Sequence, residues 1–312
     1  MGKILTFGEP LLAFNIPNQQ NMIQSGGYTS FMSLAGSEIN TCVALKRLGH
    51  EVTLLTVLPD NELGKYYKQI LDSIGVETQY VFFIQGAMGT MYIKDDQVIY
   101  DRNNSAFYHM KCNIFSMQEI FKTRYDWIHL TGITPSLSEN NIIVWKSIID
   151  YGLKHNIPIS LDLNYRPVLI EFNNLWKIIK PYLPFIEILF VAKSNIQSIH
   201  SIEKTTNITS LLEKTQLKQL LYCLKEIEPN QEQLRSSILF TIKKKYQSRP
   251  IKQIVIEPIG GGDTYSAGFI DATLTKKYSI YNKLHYCDLL TIQSQKHRGH
   301  FLPPTNAEKN SP

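Results

Sequence analysis

Short apolar runs and longer amphipathic stretches alternate along the chain. Residues 4–7, 52–58, 80–84, 127–131, 158–163, 188–191 and 251–256 are rich in β-branched, aromatic and leucine side chains. Several are apolar at successive positions, the pattern of strands covered on both faces. Helical spacing falls between them, over 40–48, 62–74, 140–155, 175–182, 208–225 and 231–244. The first two stop at Gly49 and Gly75, as helix C-termini commonly do. This alternation predicts βαβ units around a mainly parallel sheet, an α/β fold. Two stretches break the rhythm. Residues 10–32 and 86–108 are rich in Gly, Asn and aromatics, and 89–94 with 97–102 fit a hairpin turning at Asp95-Asp96. They predict a small β flap, of the kind that closes on a ligand at the C-terminal edge of such a sheet.

Composition narrows the partners. With 312 residues, 43% hydrophobic and 19% charged, the chain has the balance of a folded soluble protein with a large core. The net charge of +5 is spread along the sequence. It suits anionic small molecules and gives no basic stripe for nucleic acid. No apolar run reaches the ~20 residues of a membrane helix, so no membrane partner is expected. The first ten residues read as a strand ended by Gly8-Glu9-Pro10, not as a signal peptide. Cys42, Cys112, Cys223 and Cys287 form no CxxC pair, and the eight histidines are scattered. Reduced thiols in a cytoplasmic protein, with no protein-built metal site, are the expectation.

The most informative segment is Gly260-Gly261-Gly262-Asp263-Thr264-Tyr265-Ser266-Ala267-Gly268-Phe269. An apolar run leads into three glycines, and a helix is predicted from about Asp263. Glycines let backbone amides converge without Cβ obstruction. Amides at a helix N-terminus suit a phosphate, or the charge that develops in phosphoryl transfer. A carboxylate there can accept the proton of an attacking alcohol. No Lys-Ser or Lys-Thr follows, so this is not a P-loop. Taken alone, the segment also fits a tight turn with Asp263 as helix N-cap.

The glycine run resembles the C-terminal signature of the ribokinase-like (PfkB) carbohydrate kinases, Gly-Ala-Gly-Asp-x-Phe-x-x-Gly. The segment from Leu34 to Gly49 resembles their N-terminal signature, matching at Gly36, Ser37 and Asn40, with Ala35 in place of the first glycine. The resemblance implies a three-layer α/β/α fold over residues 1–312, one kinase domain with a β lid. It implies Asp263 as catalytic base, Gly260, Gly261 and Gly262 as anion hole, and Gly36, Ser37 and Asn40 at the sugar. ATP and Mg2+ are the implied co-substrate and cofactor, and a homodimer through the lid the implied assembly.

Three segments point to the 2-keto-3-deoxygluconate kinase branch. Asp162-Leu163-Asn164-Tyr165-Arg166 resembles its strand-end Asp-x-Asn-x-Arg. Tyr100-Asp101-Arg102 with Ser105-Ala106 resembles its Tyr-x-Arg-x-x-Ser-Ala, and Gly89-Thr90-Met91-Tyr92 its preceding strand. Asp162, Asn164, Arg166, Tyr92, Tyr100 and Arg102 are therefore expected at the substrate, the two arginines as partners of a sugar-acid carboxylate. The implied activity is ATP-dependent phosphorylation of 2-keto-3-deoxygluconate. A kinase for a neutral sugar such as fructose, or a catalytically impaired sugar-binding regulator, are the alternatives. The last is motivated by Ala192-Lys193-Ser194-Asn195, where the family carries Asn-x-x-Glu, and by the absence of a recognisable Thr-Leu-Gly-x-x-Gly strand.

Overall fold

A computed structural model of the chain describes residues 1–16, 30–94, 97–227 and 233–304. In chain order the first half comprises β1 (Lys3–Phe7), β2 (Leu11–Asn15), β3 (Phe31–Ala35), α1 (Ser37–Arg47), β4 (Glu51–Pro59), α2 (Glu62–Ile74), β5 (Val81–Ile84), β6 (Gly89–Lys94), β7 (Gln97–Asp101) and the single-turn α3 (Ala106–His109) and α4 (Met117–Ile120). Then follow β8 (Trp127–Thr131), α5 (Glu139–Lys154), β9 (Ile159–Asp162), α6 (Phe172–Ile179), β10 (Ile188–Phe190), α7 (Ile196–Glu203) and α8 (Ile208–Thr215). The chain ends with β11 (Gln219–Ile227), β12 (Gln233–Thr241), β13 (Lys245–Gln247), β14 (Ile251–Gln253), α9 (Gly261–Thr275) and α10 (Ile280–Gln295).

The main sheet runs β13-β12-β11-β10-β9-β8-β1-β4-β5, with β14 also paired to β12. From β11 to β5 every neighbouring pair is parallel. Burial on both faces explains the continuous apolar runs: all five residues of β8 are buried. Trp145, Ile148 and Ile149 of α5 with Leu175 and Trp176 of α6 cover one face. Val43 of α1, Tyr67 and Leu71 of α2, Phe269 of α9 and Leu284 of α10 cover the other. Local signals set the helix ends. Asn61 caps α2 by accepting from the Gly64 N–H, and Gly75 closes it in the left-handed region at φ 85°.

The flap is a second sheet of order β3-β2-β6-β7. The hairpin expected from residues 89–102 is β6 paired antiparallel to β7; its turn at Asp95-Asp96, like residues 17–29 of the other flap segment, lies outside the described residues. Leu11, Ala13, Ala35, Met91 and Ile93 make a small apolar cluster with Val98, Tyr100 and Ile259.

Three elements differ from expectation. The helix expected over 208–225 ends at Gln216, in the left-handed region at φ 55°, and β11 follows, parallel to β10. The segment read as a helix over 231–244 contains β12, which pairs with β11 over nine registered positions. Both stretches space their leucines and isoleucines at three and four, so the period alone suggested helices; the free edge of β10 and the long antiparallel pairing decided for strands. The strand expected over 251–256 ends at Gln253 and pairs antiparallel with β12. Beyond it the Ile256 and Glu257 N–H groups donate to the Gln295 carbonyl, so the glycine run follows an irregular segment fastened to α10.

Candidate active site

Asp263 lies in the first turn of α9, which packs beside α1. Ser37 Oγ donates to its Oδ1 at 2.5 Å, and Asn40 Nδ2 donates to its Oδ2 at 2.7 Å. Asn164 Nδ2 in turn donates to Ser37 Oγ at 2.7 Å. Three of the segments singled out in the sequence thus meet at one carboxylate. Burial raises the Asp263 pKa, opposed first by these Ser37 and Asn40 hydrogen bonds and then by the charge of Arg166. The helix N-terminus adds a field favouring the charged form.

Each of the three glycines is needed for a different reason. Gly260 precedes α9 at φ 81°, and a Cβ on it would stand 2.3 Å from the His300 carbonyl oxygen. A Cβ on Gly261 would meet Gln295 Nε2 at 2.5 Å, whereas one on Gly262 would meet nothing within 4 Å. Gly262 therefore faces open space. Thr264 N–H makes the first helical bond, to the Gly260 carbonyl at 2.9 Å. The amides of Gly261, Gly262 and Asp263 are left with no acceptor inside the helix.

Two cavities meet here. The first, about 500 Å³, lies between the flap and the sheet and is lined by Gly36, Ser37, Asn40, Tyr100, Arg102 and Asp263, among others. The second, about 580 Å³, lies over the C-terminal ends of β10 and β11. They share Asp162, Asn164, Arg166, Pro258 and Gly262. This is the C-terminal edge of parallel strands, where open α/β sheets hold ligands. Asn164 is held in the left-handed region at φ 37°, a conformation that Asn tolerates better than most residues, and its N–H donates to Asp162 Oδ1 at 3.0 Å.

The two arginines differ in environment. Arg166 makes one hydrogen bond, to the neighbouring Tyr165 carbonyl, and no ion pair among the described residues. Arg102 is buried against Glu9: its Nε donates to Glu9 Oε2 at 2.7 Å, its Nη2 bonds the same oxygen, and Ser105 bonds the other. It lines the first cavity as half of a neutralised pair. Tyr100 also lines that cavity, beneath the Arg102 guanidinium at 5.6 Å. Tyr92, expected at the sugar, lies on the opposite face of the flap, its ring stacked on Phe14 at 5.6 Å. Strand alternation is the reason: the row Ala13, Met91, Tyr100 faces the cavity, so the adjacent row Phe14, Tyr92, Ile99 faces away.

Two carboxylates in the first cavity were not singled out from sequence. Glu9 follows β1, and its place just past the end of a central strand was the available signal. Glu38 accepts from Thr131 at 2.7 Å and Thr134 at 2.6 Å, and burial pushes its pKa up to about 7. Nothing but its position beside Gly36-Ser37 marks it in sequence. Asp162 is also pushed up to about 7, by burial first and by Asp263 second.

Comparison with known proteins follows the same lines. The chain is 26% identical to the 2-dehydro-3-deoxygalactonokinase of Haloferax volcanii over 203 residues, 63% of each chain. It is 27% identical to the 2-dehydro-3-deoxygluconokinase of Thermoproteus tenax over 182 residues, 54% of this chain and 52% of that one. The alignments therefore span only about half to two thirds of these relatives. A crystal structure of a PfkB family carbohydrate kinase from Listeria grayi superposes with a TM-score of 0.87 over 96% of both chains at 23% identity, showing the same fold. That of the 2-dehydro-3-deoxygluconokinase from Thermotoga maritima gives 0.85 over 96% and 94% at 22% identity. Residues 3–280, from β1 past the glycine run and the whole of α9, match the pfkB family carbohydrate kinases, and the chain belongs to that family.

Proposed function

We propose that the protein is a single-domain kinase that transfers the terminal phosphoryl group of ATP to the primary hydroxyl of 2-keto-3-deoxygluconate. The observation that carries this reading is Asp263, fixed by Ser37 and Asn40 beside the open amides of α9 where the two cavities join. The first cavity takes the acceptor and the second the donor. Asp263 accepts the hydroxyl proton as the alcohol oxygen bonds to the terminal phosphorus. The bond from that phosphorus to the bridging oxygen breaks, and ADP leaves with the electron pair. The amides at Gly261, Gly262 and Asp263 stabilise the charge on the transferred group. Arg166 supports the sugar-acid assignment, as a guanidinium at the cavity junction that makes no ion pair among the described residues. Several relatives named as kinases of dehydro-deoxy sugar acids point the same way.

Magnesium enters with ATP. Among the described residues no group of three His, Cys, Asp or Glu could hold a metal, and the donor cavity is lined by one carboxylate, Asp162. Among the described residues no helix is long and apolar enough to cross a membrane, and we place the protein in the reducing cytoplasm, consistent with four unpaired cysteines.

The Glu9–Arg102 pair favours a second reading. It removes one of the two cations expected for a carboxylate, so a neutral sugar such as fructose is the competing acceptor. An ATP-consumption assay over sugars and sugar acids decides between them. Asp263→Asn should lower kcat by about 10²–10⁴-fold with little change in acceptor binding. Near-normal turnover in that variant would remove Asp263 from the chemistry. Sugar binding in calorimetry without ATP binding would instead identify an impaired sugar-binding regulator.

A further inference from the structure

The wall of the donor cavity carries an electrostatic imbalance. Among the described residues, Lys193 after β10, Lys225 on β11 and Arg235 on β12 all line it, as does Arg166, against one carboxylate, that of Asp162. Arg235 has its counter-charge: its Nε donates to Asp288 Oδ1 at 3.0 Å, with both groups buried. Asp288 is spent on that contact and on the hydroxyls of Ser237 and Ser248.

Lys225 stands directly opposite Arg235 in the antiparallel register of β11 and β12. Like charges at such a pair destabilise a sheet. Among the described residues the side chains of Lys225 and Lys193 make no hydrogen bond or ion pair with the protein. Partial burial first, and the Arg235 guanidinium second, lower the pKa of the Lys225 ammonium. Leu221, Cys223 and Lys225 alternate along β11 and all reach the cavity. Lys225, exposed on β11, reaches the same space as Leu221, Tyr222 and Cys223, which ends at Gly262. With Arg235 neutralised by Asp288, Lys225 is left on that wall without a counter-charge among the described residues. A bound anion supplies one.

Resting on the kinase reading above, we propose that Lys225, with Lys193 on the same cavity, holds the phosphate chain of the nucleoside triphosphate donor. Lys225 is then a donor-binding residue, and the positive wall draws the triphosphate toward the amides of α9. Lysine suits this role as a compact charge on a flexible stem that follows the phosphates.

The test is titration calorimetry of the whole 312-residue chain with magnesium-ATP, ADP and adenosine, on wild type, Lys225→Ala, Lys225→Arg and Lys193→Ala. Lys225→Ala should weaken ATP and ADP by about 10- to 100-fold, the usual range for a lost charge-assisted contact. Adenosine and sugar-acid binding should stay within about twofold of wild type. Lys225→Arg should retain most of the ATP affinity, and Lys193→Ala should show a smaller loss than Lys225→Ala. Wild-type ATP affinity in Lys225→Ala would overturn the proposal, as would an equal loss of adenosine, which marks a structural role. A wild-type protein that binds no ATP would overturn the kinase reading itself and this assignment with it.

Discussion

Arg102 and Glu9 lie together at the wall of the acceptor cavity, their side chains 3% and 1% exposed. In that surrounding, removing one charge is costlier than removing both. Arg102→Ala leaves a buried carboxylate without its cation and should destabilise the fold by about 3–5 kcal/mol. The double variant Glu9→Gln/Arg102→Met should recover most of that loss, read by urea unfolding. A silent Arg102→Ala would show that the pair is not buried in solution. Glu38 carries a pH-dependent term. Its folded pKa of about 7 lies above its ordinary value of 4.5, so the native state keeps a proton that the unfolded chain has released. The stability linked to that proton is full below the unfolded pKa and is lost as pH rises through the folded one. Between pH 5 and 7.5 this one group should cost about 2 kcal/mol. Glu38→Gln should shrink the fall in unfolding free energy over that range by the same amount; an unchanged slope would place the titration elsewhere.

The N-terminus of α9 shows how one element separates folding from function. Gly260 is held by conformation and by the His300 carbonyl behind it. Gly260→Ala should therefore cost about 2 kcal/mol or more through left-handed strain and collision. Gly262 opens only onto the cavities. Gly262→Ala should leave stability unchanged, or raise it by up to about 1 kcal/mol through helix propensity. It should still cut turnover by about 100-fold, because the methyl group intrudes beside the amides that receive the transferred charge. Thermal unfolding and ATP consumption on the two variants give opposite orders if this division holds. The glycine run, the capped helix α2 and the buried strands were all legible in sequence, because each depends on local conformation or on consecutive apolar residues. β11 and β12 were not. Their apolar spacing satisfies a helix as well as a strand, and only pairing across the sheet separates the two. Tyr92 was legible as a strand residue but not as an outward-facing one, since a motif does not state which face of the pleat meets the ligand.

At the scale of the molecule, the outer face of the flap carries the row Met32, Phe14, Tyr92, Ile99 across its four strands. Met32 is 44% and Ile99 59% exposed. We propose this row as the contact of a homodimer through the lid, in line with the expectation from family resemblance. Light scattering should then give a dimer for wild type and a monomer for Ile99→Lys; a wild-type monomer at micromolar concentration would refute it. The sequence by itself determined the α/β class, the flap, the glycine-built helix start and the acid placed after it, because these follow from local conformational preference and from patterns a few residues long. Tertiary structure alone decided that Asp263 is gripped by Ser37 and Asn40, that Arg102 is neutralised by Glu9 while Arg166 makes no ion pair among the described residues, and that Lys225 faces Arg235 in a cavity. Each of these is an encounter between side chains far apart in the chain. Their charges and hydrogen bonds acquire meaning only when folding sets their distances and removes the water between them.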